Sequence, residues 1–489
     1  MSKHGVVIMF NKRPRIRRAG RDRTGAPFGS LGSGRNLRAA IAAVSAASLA
    51  ALVAGCGSEA QQNSAPVLRI MGPADGSDQY AQAAQKCSDA SGGKYRLEYD
   101  ISAKQTDDQR LQLARRIVGG DSSFDIMGLD VTWTPEFAEA GWALPLPEDM
   151  AERVTEGTLS GPLDTATWQD QLYGAPLNTN TQLLWYRKSL VDGPPKTWDD
   201  LIATGERLAD EGKPSMIGVQ AAQFEGSVVW LNSMTASAGG QLVAPDGQSV
   251  TIADNDAAER ALDTMHRVAT AKGHDPSISQ SDENQARLAF DRGDAFAQVN
   301  YPFVYAGAKE KAESGSQVAK EVFEDMAWTT YPAMDEGTPA QVTIGGLNLA
   351  VPSTSKHPEL AFEAIDCLRN EQNQLNNALK GGLPPTLAKL YTQATDEFKE
   401  EYPFYREIYE QLNTLEESDS AELSQEERAL LPSPRTAGVV TRPKSPAYQS
   451  LSILMASRIS PPEDIDAKTL VGTLDEELQA AVNSEGLVP

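Results

Sequence analysis

Cysteine and histidine are scarce in this chain. Its 489 residues include three cysteines and four histidines. The sequence has no Cys-x-x-Cys pair, and the spacing of His266, His274 and His357 is not that of metal ligands. Because zinc sites are built from clusters of these residue types, the sequence predicts no metal site. We expect the three histidines to lie at the surface.

Motifs of nucleotide-dependent enzymes and of common hydrolases are missing too. The sequence has no Gly-x-x-x-x-Gly-Lys-[Ser/Thr] loop to bind nucleotide phosphates. It also lacks the Gly-x-Ser-x-Gly turn that exposes the nucleophile of many hydrolases. These absences argue against ATP hydrolysis and serine-hydrolase chemistry, and no cofactor is predicted.

Basic residues are outnumbered by acidic ones, 44 to 67, which gives a formal net charge of −23. Residues 1–55 hold ten of the basic residues and one of the acidic ones, so the rest of the chain has 34 against 66 and a net charge of −32. Such a surface repels nucleic acid and anionic lipid headgroups. We therefore expect no nucleic acid partner.

Long apolar runs are confined to one place near the N-terminus. The alanine-rich run from Ala39 to Ala54 follows Arg35 and Arg38 and leads directly to Gly55-Cys56. A basic segment, an apolar run and small residues before the cleavage point are typical of an export signal. A cysteine directly after Ala-Gly predicts a lipoprotein signal. The alternative is an ordinary signal or anchor helix with an incidental cysteine.

This interpretation divides the N-terminal part of the chain. We predict that residues 1–55 are the signal peptide with an N-terminal extension, in which residues 1–34 carry no fold. Lipid on Cys56 would then hold the protein at the outer face of the bacterial cytoplasmic membrane. Residues 56–66 are small and polar, as expected of a lipidated flexible tether.

With Cys56 assigned to lipid, Cys87 and Cys367 remain. An even pair of cysteines in an exported protein predicts a disulfide, which would join an early helix to a late one. Two buried free thiols are the alternative.

Strand and helix patterns alternate after the tether. The order strand, helix, strand, helix, strand is predicted for residues 67–71, 79–90, 95–101, 106–118 and 124–129. This order is typical of an α/β fold with a largely parallel sheet. Ligands of such sheets bind beyond the carboxyl ends of the strands, and Asp130 lies at such an end. Farther on we predict strands at 217–220 and 343–351 and a helix at 358–380.

Several motifs resemble those of sugar-binding proteins of bacterial ABC importers. They are Asp130-Val-Thr-Trp-Thr-Pro-Glu-Phe-Ala-Glu-Ala-Gly-Trp142, Tyr173-Gly-Ala-Pro176 with the segment 178–186, Pro195-Lys-Thr-Trp-Asp-Asp-Leu201 and Gly345-Gly-Leu-Asn-Leu-Ala-Val351. A narrower resemblance, over roughly residues 67–489, is to trehalose-binding lipoproteins of mycobacterial trehalose-recycling importers. The segments that carry it are 110–116, 180–187, 286–290 and 343–351, together with the positions of Cys87 and Cys367.

The resemblance implies a two-lobed α/β fold like that of periplasmic binding proteins. Its lobes would be residues 67–177 with 347–385 and residues 178–346 with 386–489. Three hinge crossings are expected near 177–180, 344–347 and 381–386, and a sugar would bind in the cleft and close it. The protein would catalyse nothing. Its partners would be a disaccharide, two membrane-spanning permease subunits and, indirectly, an ATPase.

We expect planar polar side chains to bind the hydroxyl groups of a sugar. Asp130 is the first candidate, although it could instead cap the following helix. Asn180 lies at the first crossing, where an ordinary turn residue is the alternative. The resemblance adds Glu283, which alone would pass for a solvated charge. It also implies that Arg442 closes the cleft from the C-terminal loop, unless it is a surface arginine.

An aromatic platform for a sugar ring is expected in the segment Asn300-Tyr301-Pro302-Phe303, although ordinary core positions are the alternative. Tyr301 stands where the resemblance implies tryptophan. Gly345 and Gly346 would allow close approach of the backbone or simply form a bulge at the hinge. Asp75 and Ser77, just after the first strand, are further candidates for contact with the sugar. Other ligands remain open, namely maltose, another oligosaccharide or a polyol. An exported glycoside hydrolase is the alternative from another class, with Asp130 and Glu283 as its two carboxylates.

Overall fold

The computed structural model describes residues 65–74, 76–103, 106–413, 424–432 and 434–483. The predictions for the signal segment, Cys56 and Asp75 lie outside these residues. Within the described ranges, no helix has the length and apolar character needed to cross a membrane.

The described residues form strands and helices in an alternating order. The strands are β1 (Val67–Gly72), β2 (Arg96–Ile101), β3 (Ile126–Asp130), β4 (Thr167–Trp168), β5 (Gln171–Leu172), β6 (Ala175–Asn180), β7 (Leu183–Arg187), β8 (Met216–Gly218), β9 (Ala295–Asn300), β10 (Met326–Thr329), β11 (Ala340–Thr343), β12 (Gly345–Ala350) and β13 (Ala437–Val440). The helices are α1 (Ser77–Ala90), α2 (Thr106–Val118), α3 (Thr134–Glu139), α4 (Glu148–Thr155), α5 (Ser160–Ala166), α6 (Trp198–Asp210), α7 (Glu225–Ser237), α8 (Ala257–Thr270), α9 (Glu283–Asp291), α10 (Phe303–Glu313), α11 (Gln317–Asp325), α12 (Pro358–Leu368), α13 (Glu371–Gly381), α14 (Lys389–Thr392), α15 (Asp396–Glu401), α16 (Tyr405–Leu412), α17 (Gln425–Leu430), α18 (Tyr448–Ile459) and α19 (Ala467–Val482).

Two main sheets organise the fold. The first sheet has the strand order β2-β1-β3-β12-β6, and the second has the order β10-β7-β9-β8. In the first sheet β1 pairs in parallel with β2 and β3, as predicted, whereas β12 runs antiparallel to β3 and β6. In addition, β11 and β13 form a parallel pair and β4 and β5 an antiparallel one.

Each main sheet is covered on both faces because consecutive side chains of a strand point to opposite sides. In β1, Ile70 belongs to a core with helices α1 and α12, and its neighbour Met71 belongs to a second core around Phe137. In β7, Leu184 and Trp185 divide between two other cores in the same way. The chain therefore builds two lobes, and the predicted two-lobed α/β fold is confirmed.

The chain leaves the first sheet once directly for the second sheet and re-enters the first sheet once from the smaller pair of β11 and β13. It leaves the first sheet after Asn180 at the end of β6 and enters the second at Leu183. It returns through Ile344, between β11 and β12. The segment that follows α13 runs beside the first crossing, where the amide of Thr179 donates to the carbonyl oxygen of Pro384 at 2.9 Å. The first sheet thus extends to Asn180 and begins again at Gly345.

Two local predictions need correction. The single helix expected over 358–380 is divided into α12 and α13, because the side chain of Asn370 accepts a hydrogen bond from the amide of Asn373 and starts a new helix. The strand expected over 343–351 is likewise two strands, β11 and β12, separated at Ile344.

The disulfide between Cys87 and Cys367 is present. It joins α1 to α12 within the first lobe, with 5.8 Å between the two Cα atoms and a sequence separation of 280 residues. Cys87 is fully buried. The bond thus ties the first helix of this lobe to one of its last.

Candidate functional site

Asp130 lies at the carboxyl end of β3, where the sequence pattern predicted a ligand-binding edge. Its Oδ1 atom accepts hydrogen bonds from the amide of Thr132 at 3.0 Å and from the hydroxyl of Thr132 at 2.7 Å. These bonds fix the turn that precedes α3. The N-cap of α3 is Trp133 and not Asp130, so the alternative role of Asp130 as a helix cap is wrong, and the bonds from Thr132 instead hold its carboxylate in one orientation.

Arg442 reaches Asp130 from the segment after β13. Its Nη2 lies 3.5 Å from Oδ1 of Asp130, and its Nη1 lies 2.7 Å from Oε1 of Glu225. The arginine side chain is only 6% exposed. Burial acts to lower the pKa of Arg442, but the charges of Asp130 and Glu225 outweigh it and raise the pKa above its ordinary value. A charged guanidinium therefore connects the two lobes.

Glu225 is a member of this cluster that the sequence analysis missed. It is the first residue of α7, and its carboxylate also accepts hydrogen bonds from the hydroxyls of Tyr448, at 2.7 Å, and Ser452. A helix N-terminus favours a negative charge. One signal was available in the sequence, since Glu225 is the only charged residue of an otherwise apolar or small-residue helix.

A cavity of about 370 Å³ is lined by Tyr301, on whose phenol the charges of this cluster act, although Asp130, Glu225 and Arg442 do not themselves line it. Pockets for small molecules have volumes of about 300–1,000 Å³, so one small ligand fits. Four predicted site residues line the cavity together, namely Asn180, Glu283, Tyr301 and Phe303. The other lining residues are Gly76, Asn284, Gly381, Gly382 and Leu383.

The lining residues come from the ends of regular elements in both lobes. Asn180 is the last residue of β6 and pairs with Gly345 of β12. Glu283 is the first residue of α9, whose N-cap Asp282 accepts from the amides of Asn284 and Gln285. A residue at the end of a strand or helix has a fixed backbone position, but its side chain is not buried in a core.

Tyr301 connects the cavity with the charged cluster. Burial is the main cause that raises the pKa of its phenol, the charge of Glu283 adds to it, and the charge of Arg442 opposes it. Asp130 and Glu225 also act on it. The phenol is therefore neutral at ordinary pH. No hydrogen bond from the described residues engages its hydroxyl, which is thus available to a ligand.

Phe303, at the start of α10, is held from two sides. The guanidinium of Arg287 lies over its ring, with 5.9 Å between Cζ and the ring centroid. On the other lobe Gly382 comes so close that a Cβ at this position would lie 2.8 Å from the Cα of Phe303. Only glycine allows this approach, which brings the end of α13 to the cavity.

Asn300 lies behind the cavity wall. It is fully buried, and its Nδ2 donates to the carbonyl of Glu283 at 2.9 Å and to Oε1 of Gln298 at 3.0 Å. Its Oδ1 accepts from the amide of Tyr301 at 2.9 Å. With its polar atoms already bonded, Asn300 supports Glu283 and Tyr301 rather than offering groups to a ligand.

The remaining predicted residues lie around the cavity. Ser77 opens α1 and follows Gly76, which lines the cavity. Gly345 contacts the side of Asn180, whereas Gly346 packs against the backbone of Asn178 and Thr179 in the neighbouring strand. Among the described residues, no cluster of histidine, cysteine, aspartate and glutamate is arranged to hold a metal ion.

Comparison with known proteins gives the family. The model of the bacterial extracellular solute-binding protein family matches residues 94–375, more than half of the chain. A relative described as a probable ABC transporter-binding protein of Deinococcus radiodurans is 26% identical over 351 residues, which are 68% of this chain and 78% of the relative.

Solved structures share the two-lobed fold. The maltose-bound MalE3 protein of T. maritima has a TM-score of 0.69 at 20% identity, covering 85% of this chain and 99% of its own. The GacH receptor of Streptomyces glaucescens has a TM-score of 0.64 at 17% identity, covering 86% of this chain and 100% of its own. The chain therefore belongs to the bacterial extracellular solute-binding proteins of ABC transporters, and it is a binding protein rather than an enzyme.

Proposed function

We propose that this protein is the lipid-anchored receptor of an ABC sugar importer and that it captures trehalose or a close α-linked glucoside. The observation that carries the proposal is the cavity in which Asn180, Glu283, Tyr301 and Phe303 meet. Of these residues, the resemblance to trehalose-binding lipoproteins implied Glu283, whereas Asn180, Tyr301 and Phe303 were predicted from their side-chain chemistry. The captured sugar would pass to two permease subunits driven by an ATPase.

The side chains suit a neutral disaccharide. The amide of Asn180 both donates and accepts, and carboxylates such as Glu283 accept strongly from sugar hydroxyls. Tyr301 and Phe303 supply apolar faces for a ring. In this proposal Asp130 accepts a hydrogen bond from a hydroxyl of the sugar, and Arg442 closes the cleft over the sugar.

The charges around Tyr301 favour a ligand without negative charge. Three carboxylates, those of Asp130, Glu225 and Glu283, act on its phenol together with one guanidinium, that of Arg442. An anionic ligand would meet an excess of negative charge in a partly desolvated cleft. A polyhydroxylated neutral molecule has only to exchange hydrogen bonds with water for hydrogen bonds with these groups.

The solved relatives support a carbohydrate as the ligand class. One is described as bound to maltose and another in complex with acarbose. Their sequence identities of 20% and 17% support the class and not the particular sugar. Maltose or another oligosaccharide is therefore the second candidate ligand.

Calorimetry tests the ligand. The soluble fragment that begins after Cys56 would be titrated with trehalose, maltose and glucose, and we expect trehalose to bind most tightly, with no release of glucose. Asp130→Ala should weaken binding about 10- to 150-fold, because hydrogen bonds to charged groups contribute about 1.5–3 kcal/mol. Asp263→Ala, which removes an exposed carboxylate on α8, is the matched control. Binding of maltose alone would reject trehalose, and binding of no sugar would reject the site.

A separate experiment tests the anchor. The full chain expressed in a bacterium that modifies lipoproteins should fractionate with the membrane, and its N-terminal peptide should start at Cys56 and carry acyl chains in mass spectrometry. Cys56→Ala should lose the acyl mass. An unmodified Cys56 in a cleaved chain would refute the lipid anchor and leave the sugar proposal standing.

A further inference from the structure

The carboxylate of Glu225 accepts hydrogen bonds from three side chains of the C-terminal segment 442–452. Glu225 accepts from Nη1 of Arg442 at 2.7 Å, from the hydroxyl of Tyr448 at 2.7 Å and from the hydroxyl of Ser452. All three donors are buried and lie within eleven residues of one another in the chain. Glu225 is therefore the point at which this segment is fastened to the second lobe.

The helix that carries Glu225 is itself immobilised. Nearly every residue of α7 after Glu225 is buried. Asn232 donates to the hydroxyl of Thr343 at 3.0 Å, and Ser233 shares a hydrogen bond with the same hydroxyl at 2.8 Å. These bonds attach α7 to β11, directly before the crossing at Ile344. The carboxylate of Glu225 thus has a fixed position with respect to the hinge.

The bond between Glu225 and Arg442 also fixes where the arginine side chain points across the cleft. Its guanidinium is a rigid planar fork, so the bond from Nη1 to Glu225 sets where Nη2 points. Nη2 faces Asp130 on the first lobe at 3.5 Å, and the buried Nε has no hydrogen-bond partner among the described residues. Within those residues, Glu225 is the only group of the second lobe that orients the guanidinium.

We propose that Glu225 is a positioning residue for sugar binding, which holds Arg442 so that it reaches Asp130 and the sugar when the lobes close. This inference rests on the proposed function. Glu225 would not touch the sugar. Its loss would release the arginine and raise the dissociation rate of the sugar, because most affinity changes within one binding site appear in that rate.

A double-mutant cycle tests the inference. Glu225→Ala, Arg442→Ala and the double variant would be titrated with trehalose, and rates would be measured by stopped-flow fluorescence. We expect Glu225→Ala to weaken binding about 10- to 100-fold, by analogy with the loss of groups that orient the ligands of a metal ion. The same change should have less than a twofold effect in the Arg442→Ala background, because Glu225 acts through Arg442.

Matched variants separate positioning from folding. Glu225→Gln keeps the shape and one acceptor oxygen, so it should lose less affinity than Glu225→Ala in the same cycle. Tyr448→Phe and Ser452→Ala remove the other two donors to Glu225 and leave Arg442 in place, so each should cost less than about fivefold. Lys468→Ala, which removes an exposed cation on α19, should change affinity less than twofold. Glu225→Gln also keeps the test decisive if Glu225→Ala does not fold.

Two results would overturn the inference. One is an equal loss of affinity for the Glu225 change in both backgrounds, which would mean a general structural role. The other is unchanged affinity in Glu225→Ala with Arg442 intact. If the wild-type protein binds no sugar, it is the proposed function that fails, and this outcome is seen before any variant is compared.

Discussion

Gly346→Ala should strongly destabilise the protein at its second crossing. Gly346 has a φ of +140°, and a Cβ there would lie 2.5 Å from the carbonyl oxygen of Asn178 and 2.8 Å from the Cα of Thr179. A conformation reserved for glycine costs about 1–3 kcal/mol in another residue, and overpacking costs about 1–3 kcal/mol more. Because the clashing atoms are backbone of β6, the strand must move. We expect a loss of roughly 2–6 kcal/mol in the free energy of unfolding, measured by urea titration with tryptophan fluorescence.

The neighbouring glycine provides the control. A Cβ on Gly345 would lie 3.3 Å from the Cβ of Asn180, a side-chain contact that a small shift relieves. Gly345→Ala should therefore cost less than about 1.5 kcal/mol of stability, but it should weaken sugar binding by displacing Asn180. Equal stability losses in the two variants, or a loss below 1 kcal/mol in Gly346→Ala, would show that the strained pairing of β12 with β6 has been misjudged.

Three further predictions can be tested separately. Replacing Cys87 and Cys367 by alanine together should cost the first lobe about 2–5 kcal/mol in urea unfolding, with little change in sugar affinity, and a reducing agent should then have no further effect. Burial raises the pKa of Tyr331, Tyr391 and Tyr448, whereas unfolded tyrosine ionises near pH 10. Their contribution to stability should therefore be constant below pH 10 and fall above it, as a lower urea midpoint at pH 11 than at pH 8 would show. Tyr301→Phe should weaken trehalose binding roughly 2- to 10-fold, which corresponds to the loss of one neutral hydrogen bond. An unchanged affinity in calorimetry would show that the hydroxyl of Tyr301 does not bind the sugar.

Much of the fold follows from local patterns. Alternating side chains and capping residues located the first three strands and the two helices between them to within a few residues. The break between α12 and α13 was missed because Asn370 looks like any polar residue in a helical pattern until its side chain is seen to bond the amide of Asn373. The antiparallel insertion of β12 between β3 and β6 depends on pairing between distant segments, which local periodicity does not report.

Polar residues at the ends of elements drew attention to Asp130 and Asn180, and the resemblance drew attention to Glu283; Asn180 and Glu283 do line one cavity. The site was not predictable where the role depends on a tertiary partner. Asn300 looks like a ligand in the sequence, yet its bonds to Glu283, Gln298 and Tyr301 occupy it. Glu225 drew no attention because its partners are more than 200 residues away.

In the proposed function the sugar site is divided between two lobes, and affinity should then depend on the hinge. Asp130 and Asn180 end strands of the first sheet, whereas Glu283, Tyr301 and Arg442 belong to elements around the second. Under this proposal neither lobe alone offers enough groups to surround a disaccharide, and we expect full binding energy only when both lobes contact it. A change at a crossing, such as Gly346→Ala, should therefore alter affinity even where it leaves every ligand-binding side chain intact. If Gly346→Ala lowers the affinity but not the stability, the substitution acts on the closure of the lobes. If it lowers the stability but not the affinity, it acts on the pairing of the strands in the sheet.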